Sequence, residues 1–360
     1  MQTQANHPRI REVWSPNLQE ELHLIRQVIE TYPYIAMVST LSKVSANRHR
    51  ALGLSFQDTE FPGVVARPIG NFKTSSDYHY QTMRCNVDLL KIIQVGITLT
   101  DEEGNYPPEG STWQFNFRFS INEDIYAPES IELLQKSGLD FARHEEMGIS
   151  PNDFAELMIT SGLVLTQETK WISFHSGYDF GYFVKLLTAE SLPTTEDSFF
   201  DLLRTWFPTV YDIKFMMRAA KVMKGGLQDI ADDLGVQRVG ISHQAGSDSL
   251  LTSSAFFKML ETYFQNGFDD SEYNGKLYGL GQTFTVMNGS LADSGRPGAA
   301  TLAEREDRNP AREIQPPTAQ TPSVAMGMAM PTMPSQIAAS AYGPMANGPP
   351  YLRTSLVGGR

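Results

Sequence analysis

An α/β fold, a central sheet with helices on its faces, is what this sequence predicts, and three observations carry it. Two strand patterns come early. One is Ile92-Ile93-Gln94-Val95-Gly96-Ile97; the other is residues 112–120, where Trp113, Phe115, Phe117 and Phe119 alternate with Gln114, Asn116 and Arg118. Helix-length segments punctuated by Pro and Gly follow. An apolar strand at Trp171-Ile172-Ser173-Phe174 interrupts those helices. A group of strands followed by alternating helices and strands buries its apolar faces as one sheet covered by helices.

Each element has a local reason. Residues 17–31 make an amphipathic helix with Leu18, Leu22, Ile25 and Ile29 on one stripe, and Asn17 placed to cap it with Glu20 at the third position. The strand near residue 97 ends in a turn at Asp101-Glu102-Glu103-Gly104-Asn105. The 112–120 alternation predicts a half-buried strand whose aromatic stripe is core rather than a base-stacking platform. Pro128 and Gly138 bound one helix, Ser150-Pro151 and Gly162 another. Helices are expected near 180–189, 198–206, 212–223 and 226–234. A last one covers about 248–264, with Leu250, Leu251, Phe257, Leu260 and Phe264 apolar.

Composition divides the chain. Residues 288–360 hold 10 Pro and only two aromatics, Tyr342 and Tyr351, and include the low-complexity run Met326-Gly327-Met328-Ala329-Met330-Pro331. That predicts a folded domain over 9–287 and a disordered Pro/Met/Gly-rich tail over 288–360. The lone Cys85 excludes an intramolecular disulfide, fits a reducing compartment and reads as a buried thiol. The polar start, Met1 to Pro8, lacks a signal-peptide core, and no run is long and apolar enough to span a bilayer. A soluble intracellular protein with no membrane association is expected. The net charge of −12 excludes a broad basic surface as the means of holding nucleic acid. Bound metals, a local groove of Lys and Arg, or a partner that delivers the substrate must do it instead.

The chemistry begins at Asp58-Thr59-Glu60, in the strand-like run Asp58-Thr59-Glu60-Phe61-Pro62-Gly63-Val64-Val65. Side chains at i and i+2 of a strand share a face, and two carboxylates side by side repel unless protonated or neutralised. A hard divalent cation with oxygen ligands neutralises them. Asp179 follows the 171–174 strand in His175-Ser176-Gly177-Tyr178-Asp179-Phe180-Gly181. His243 and Asp248 lie in His243-Gln244-Ala245-Gly246-Ser247-Asp248-Ser249-Leu250-Leu251, a loop entering an apolar helix. Four carboxylates and a histidine in this order suit two-metal phosphodiester cleavage.

These stretches, with Arg84-Cys85-Asn86-Val87-Asp88-Leu89-Leu90-Lys91-Ile92-Ile93-Gln94, carry a close resemblance. Residues 9–37 and 58–285 resemble the Caf-one/Pop-two family, the deadenylase subunits of the Ccr-four–Not complex. The resemblance implies an RNase H-like mixed central sheet flanked by helices, of the DEDD exonuclease type in its His variant. It implies removal of 3′ poly(A) from messenger RNA with release of AMP, and two divalent ions, Mg or Mn. By the same resemblance Asp58, Glu60, Asp179 and Asp248 match the metal-binding carboxylates, and His243 matches the general base. Poly(A) RNA, the Not scaffold protein and the second deadenylase are the implied partners, with no nucleotide cofactor. Cytoplasm, decay foci and nucleus are the expected places. A DEDD exonuclease trimming small RNAs is the alternative within the same chemistry, and a silent scaffold subunit the alternative outside it. For substrate contact, Phe61 flanks the terminal base or packs in the core. His175 is second to the ligands or structural, and Lys214 faces phosphate or is a solvated helix lysine.

One segment departs from the family. The pattern reads from Tyr34-Ile35-Ala36-Met37 into Asp58-Thr59-Glu60, but here Val38 to Gln57, 20 residues, intervene. The segment carries Lys43, Arg48, His49 and Arg50 and no acid, in an otherwise acidic domain. It interrupts a strand, whereas tolerated insertions lie at exposed loop tips. Valine codons begin with GT and one glutamine codon is CAG, so the segment reads as a translated intron, or else as a genuine loop. Two outcomes are open for the strand. Leu54-Ser55-Phe56-Gln57 replaces Tyr34-Ile35-Ala36-Met37 and sets Phe56 where Ala36 was, or the original half-strand stays paired. Either way the chain is expected to be less stable and less active than one lacking 38–57.

Overall fold

The computed structural model describes residues 10–40, 65–72, 74–108, 110–265, 267, 269–281, 284–287 and 290–293. The chain divides into two units, Met1–Pro310 and Ala311–Arg360. The second lies wholly outside the described residues.

Among the described residues, six strands form the main sheet: β1 (Ile10–Val13), β2 (Tyr34–Thr40), β3 (Gln94–Thr100), β4 (Thr112–Asn116), β5 (Lys170–Ser173) and β6 (Val210–Asp212), in the order β1-β4-β3-β2-β5-β6. β3 runs antiparallel to both β2 and β4. β5 is parallel to β2 and β6, and β1 is parallel to β4. The run from β4 to β6 is the RNase H-like mixed sheet, with β1 added at its edge. A separate hairpin, β7 (Phe284–Met287) and β8 (Ser290–Asp293), straddles the composition boundary at residue 288.

Strand alternation sends residues to two cores. Ile35 and Met37 of β2, with Val95, Ile97, Trp113 and Phe115, meet α1 (Leu18–Val28), α2 (Ser75–Leu89), α5 (Pro151–Ile159), α6 (Gly177–Thr188) and α7 (Glu196–Trp206). Ala36 and Ile172 point the other way, to α8 (Ile213–Ala220), α9 (Leu227–Asp233) and α10 (Ala245–Tyr263). A small satellite core joins Ile93 and Phe119 to α3 (Pro128–Lys136) and α4 (Phe141–Met147). The short α11 (Asp270–Tyr273) is the last helix among the described residues.

Several sequence expectations change. Asn17 does not cap α1 through its side chain; it accepts from Trp14 N (2.7 Å) and donates to the Glu12 carbonyl, because a 3-10 turn at Ser15–Asn17 precedes the helix. The 112–120 strand ends at Asn116 and is buried on both sides. Gln114 and Asn116 are covered because α10 begins over them, and they bond accordingly: Gln94 Nε2 to Asn116 Oδ1 at 2.8 Å and Gly246 N to Gln114 Oε1 at 3.0 Å. α2 carries Cys85, half-buried rather than buried. β6 ends at Asp212, which caps α8 through the amides of Lys214 and Phe215.

The tightest packing is α10 on β3. A Cβ on Gly96 would lie 1.9 Å from the Ala245 carbonyl oxygen, so only glycine lets the helix rest on the strand. Gly96→Ala is expected to destabilise the fold by about 1–3 kcal/mol, the usual cost of overpacking, read as a lowered urea midpoint. His144 on α4 is buried between Trp14 and Phe141, with Nδ1 2.8 Å from the Phe117 carbonyl. Burial holds its pKa below the usual 6.5. The fold therefore favours neutral imidazole: stability is complete above the unfolded-state value and is lost as the pH falls below it. Acidification from about pH 7.5 to pH 5 should cost the wild type more stability than it costs His144→Asn.

Candidate active site

The end of β2 is where the site assembles. β5 pairs with β2 as far as Ala36↔Ile172, so among the described residues the edge of β2 beyond that rung lacks a strand neighbour on that side. Asp179, in the first turn of α6, takes that place: its Oδ1 accepts from Ser39 N at 2.6 Å and from Ser39 Oγ at 2.7 Å. On the face of the sheet, the Ala245 carbonyl lies over Gly96, and Gly96 pairs with Val38. Ser249 Oγ lies 2.9 Å from Thr98 Oγ1, and Thr98 pairs with Ala36. Asp248 therefore sits between the rungs of residues 36 and 38, 1% exposed and ion-paired with Arg238. The Arg238 guanidinium also bonds Ser247 Oγ at 3.1 Å and Gln228 Oε1 at 2.7 Å. Two of the expected carboxylates thus approach residues 38–40 from separate elements.

Asp58, Glu60 and Phe61 lie outside the described residues. The original half-strand, Tyr34 to Met37, stays in β2, paired with β3 and β5. Val38-Ser39-Thr40 continue it. His243 precedes Gln244, the N-cap of α10, in the left-handed region at φ +69°, and is partly exposed. His175 is left-handed too, at φ +55°. Residues held there cost strain that surrounding structure must oppose, and they gather at functional sites.

Asp212, which belongs to none of the acidic motifs, organises the β5–α6 turn. Its carboxylate accepts from the amides of His175 (2.8 Å), Ser176 (3.3 Å), Lys214 (3.0 Å), Phe215 (3.4 Å) and Tyr278 (3.0 Å). An Asp directly before a helix is a capping signal, and that signal was present in Tyr211-Asp212-Ile213-Lys214. Lys214 is not a solvated lysine: it is 4% exposed, with Nζ 5.6 Å from the Phe174 ring centre and 5.4 Å from that of Tyr278. His175 stacks edge-on against Tyr278 at 4.8 Å. Burial, then the charges of Lys214 and His79, hold its pKa well below the usual histidine value, so the ring is neutral.

Burial raises the Asp179 pKa to about 6, against the Ser39 donors, and the charge of Asp212 adds to the rise. Asp212 is itself shifted upward by burial, against its amide donors. Carboxylates made costly in this way suit a hard cation, which takes oxygen ligands and offsets their charge. The donors fit Mg²⁺ or Mn²⁺ in kind. Among the described residues, no three of His, Cys, Asp and Glu gather closely enough to hold a metal ion. Among those residues, too, no helix is long and apolar enough to cross a membrane.

A mixed sheet of this topology, flanked by helices, places the chain in the RNase H-like fold class. The family model described as CAF1 family ribonuclease matches residues 13–157 and 159–256. Poly(A) ribonuclease pop2 of Schizosaccharomyces pombe is 54% identical over 278 residues, 77% of each chain. Probable CCR4-associated factor 1 homolog 7 of Arabidopsis thaliana is 48% identical over 289 residues, 79% of this chain and 96% of that one. The S. pombe Pop2p structure in its Mg²⁺- and Mn²⁺-bound form superposes with a TM-score of 0.68 at 53% identity, covering 75% of this chain and 99% of that one. Yeast CAF1 co-crystallised with the NOT1 MIF4G domain gives 0.61 at 32% identity, covering 77% and 100%. The chain belongs to the CAF1 ribonuclease family, and is by that an exoribonuclease.

The raised Asp179 pKa has a testable consequence. The folded protein holds this proton more tightly than the unfolded chain does, so stability is complete below the unfolded-state value and falls as the pH rises through about 6. In metal-free protein at neutral pH, Asp179→Asn should raise stability by roughly 1–3 kcal/mol while removing RNA cleavage, as read by thermal melts and product release.

Proposed function

We propose that this chain is a 3′-to-5′ poly(A) exoribonuclease that shortens messenger RNA tails within the Ccr-four–Not complex. The carrying observation is the delivery of Asp179 and Asp248 from separate elements onto one strand end. The 54% identical relative named a poly(A) ribonuclease, and the neighbour crystallised with a NOT1 domain, support the substrate and the assembly. The Mg²⁺- and Mn²⁺-bound Pop2p structure supports divalent cations. Asp179 and Asp248, with Asp58 and Glu60, are the residues we assign to hold them. Such ions, when bound, lower the pKa of a water and stabilise the leaving 3′ oxygen.

The chain's own residues do the rest. Asp248 is ion-paired with Arg238, and Asp179 is held against β2 by Ser39. His243 takes the proton of the attacking water as general base. The water oxygen bonds to phosphorus as the bond to the penultimate 3′ oxygen breaks, and AMP leaves. Lys214 and the neutral His175 lie among buried rings, so their part is to shape the turn that carries Asp179. Phe61 remains a proposed contact for the terminal base. An acidic protein of this kind depends on partners for recruitment. The Not scaffold and the second deadenylase are the proposed ones, at cytoplasmic decay sites and in the nucleus.

Nucleotide release from oligo(A), oligo(U) and oligo(C), compared as ratios, tests this reading. AMP from oligo(A) should dominate, and His243→Ala should lower its release by about 10²–10⁴-fold. Equal use of the three substrates would instead favour a general RNA trimmer.

A further inference from the structure

Asp248 shares its carboxylate with a positive charge that the nuclease chemistry does not use. The acid is buried, and its Oδ1 is ion-paired with Arg238 Nη1. A guanidinium does not lose its proton in a protein, so this charge is permanent. Further bonds hold it in place. The same Nη1 donates to Ser247 Oγ at 3.1 Å, and Nε donates to Gln228 Oε1 at 2.7 Å. The Ser247 hydroxyl donates in turn to the Val239 carbonyl at 2.8 Å. Its one proton is committed there, so a lone pair faces Arg238. Gln228 is oriented in the same way: Nε2 donates to Asp232 Oδ1 at 2.8 Å, which turns Oε1 to the guanidinium. Arg238 lies between α9 and α10, so these bonds tie α9 to the first turn of α10.

A buried carboxylate left without a counter-charge destabilises a fold strongly. Arg238 supplies that counter-charge from within the chain. A divalent cation that binds Asp248 therefore meets a carboxylate already neutralised, with a like charge beside it. The two positive charges draw on one group, so each weakens the hold of the other, and the coupling is reciprocal.

Resting on the assignment of cations to Asp248 above, we propose that Arg238 is the built-in counter-ion of Asp248 and sets the affinity of the site for its divalent ion by competing for that carboxylate. Arg238 is a positioning residue in this role, because it acts through Asp248. It keeps the start of α10 in place whatever the supply of cation, and it makes occupancy of the site depend on the free concentration of the ion. Gln228, exposed on α9, sets how firmly the guanidinium is held.

Four full-length proteins test it: the wild type, Arg238→Gln, Arg238→Lys and Gln228→Ala. Each is melted in EDTA, titrated with Mn²⁺ while electron paramagnetic resonance reads the unbound ion, and assayed on oligo(A). Arg238→Gln should melt about 5 °C lower than the wild type in EDTA. It should bind Mn²⁺ roughly tenfold more tightly, so the difference in melting temperature narrows as Mn²⁺ is added. Arg238→Lys, which keeps the charge, should bind Mn²⁺ as the wild type does. Gln228→Ala should tighten binding by a smaller factor. A merely structural arginine would lower the melting temperature equally with and without Mn²⁺ and leave the affinity unchanged; that result overturns the proposal. Weaker Mn²⁺ binding by Arg238→Gln overturns it too, because Arg238 would then be orienting Asp248 for the ion. If Arg238→Gln does not melt cooperatively, Gln228→Ala decides: tighter binding supports the proposal and unchanged binding overturns it. Failure of every form to bind Mn²⁺ overturns the proposal and the cation assignment together. Tighter binding by Arg238→Gln, with no AMP released by any form, keeps the role of Arg238 and removes the nuclease reading.

Discussion

A helix end resting on a bare stretch of strand is the constraint on which the rest of this molecule depends. Gly96 lets the Ala245 carbonyl approach the sheet as no side chain would. Gln114 and Gln94 reach up from the sheet to the first amides of α10. The first amides of a helix lack intrahelical partners, and here the sheet supplies them. The contact fixes the height of Asp248 over β2 and closes the polar side of β4, which is why Gln114 and Asn116 are buried though polar.

The second constraint is electrostatic. Asp179 and Asp212 are both buried acids with raised pKa values, and the charge of Asp212 contributes to the rise at Asp179. Five backbone amides on Asp212 offset its desolvation and, in the same stroke, tie the 174–176 turn, the start of α8 and the Tyr278 segment together. A carboxylate that accepts several amides is a rigid joint, because breaking any one bond leaves a buried donor unsatisfied. That joint sets the angle at which α6 leaves β5, and so where Asp179 meets β2. Buried polar groups need partners, and in this molecule the partners do the positioning.

Much of this was legible in residue order. Alternation at Trp113, Phe115 and Phe117 gave strand β4, and the apolar run before Asp179 gave β5. The loop-to-helix pattern at His243 to Leu251 gave the start of α10. The long motifs carried the family, with which the fold and family comparisons agree. Less was legible where partners are distant in sequence. Asn17 looked like a helix cap and turned instead to Trp14 and Glu12. Lys214 looked solvated and is buried among Phe174 and Tyr278. Arg238, paired with Asp248, stood in no motif. Each of these depends on a neighbour that only folding brings near, and no local periodicity reports it.

The sequence by itself determined the kinds of group this protein uses: acids in a fixed order, a histidine before the last helix, and a segment from 38 to 57 that breaks the family pattern. Only the tertiary structure decided which residues stand at the end of β2. Strand pairing is set by chain continuity and by the rungs that β3 offers, and Val38, Ser39 and Thr40 follow Met37 without a break. A motif names the residues fit for a site; the pairing of strands determines which of them occupy it.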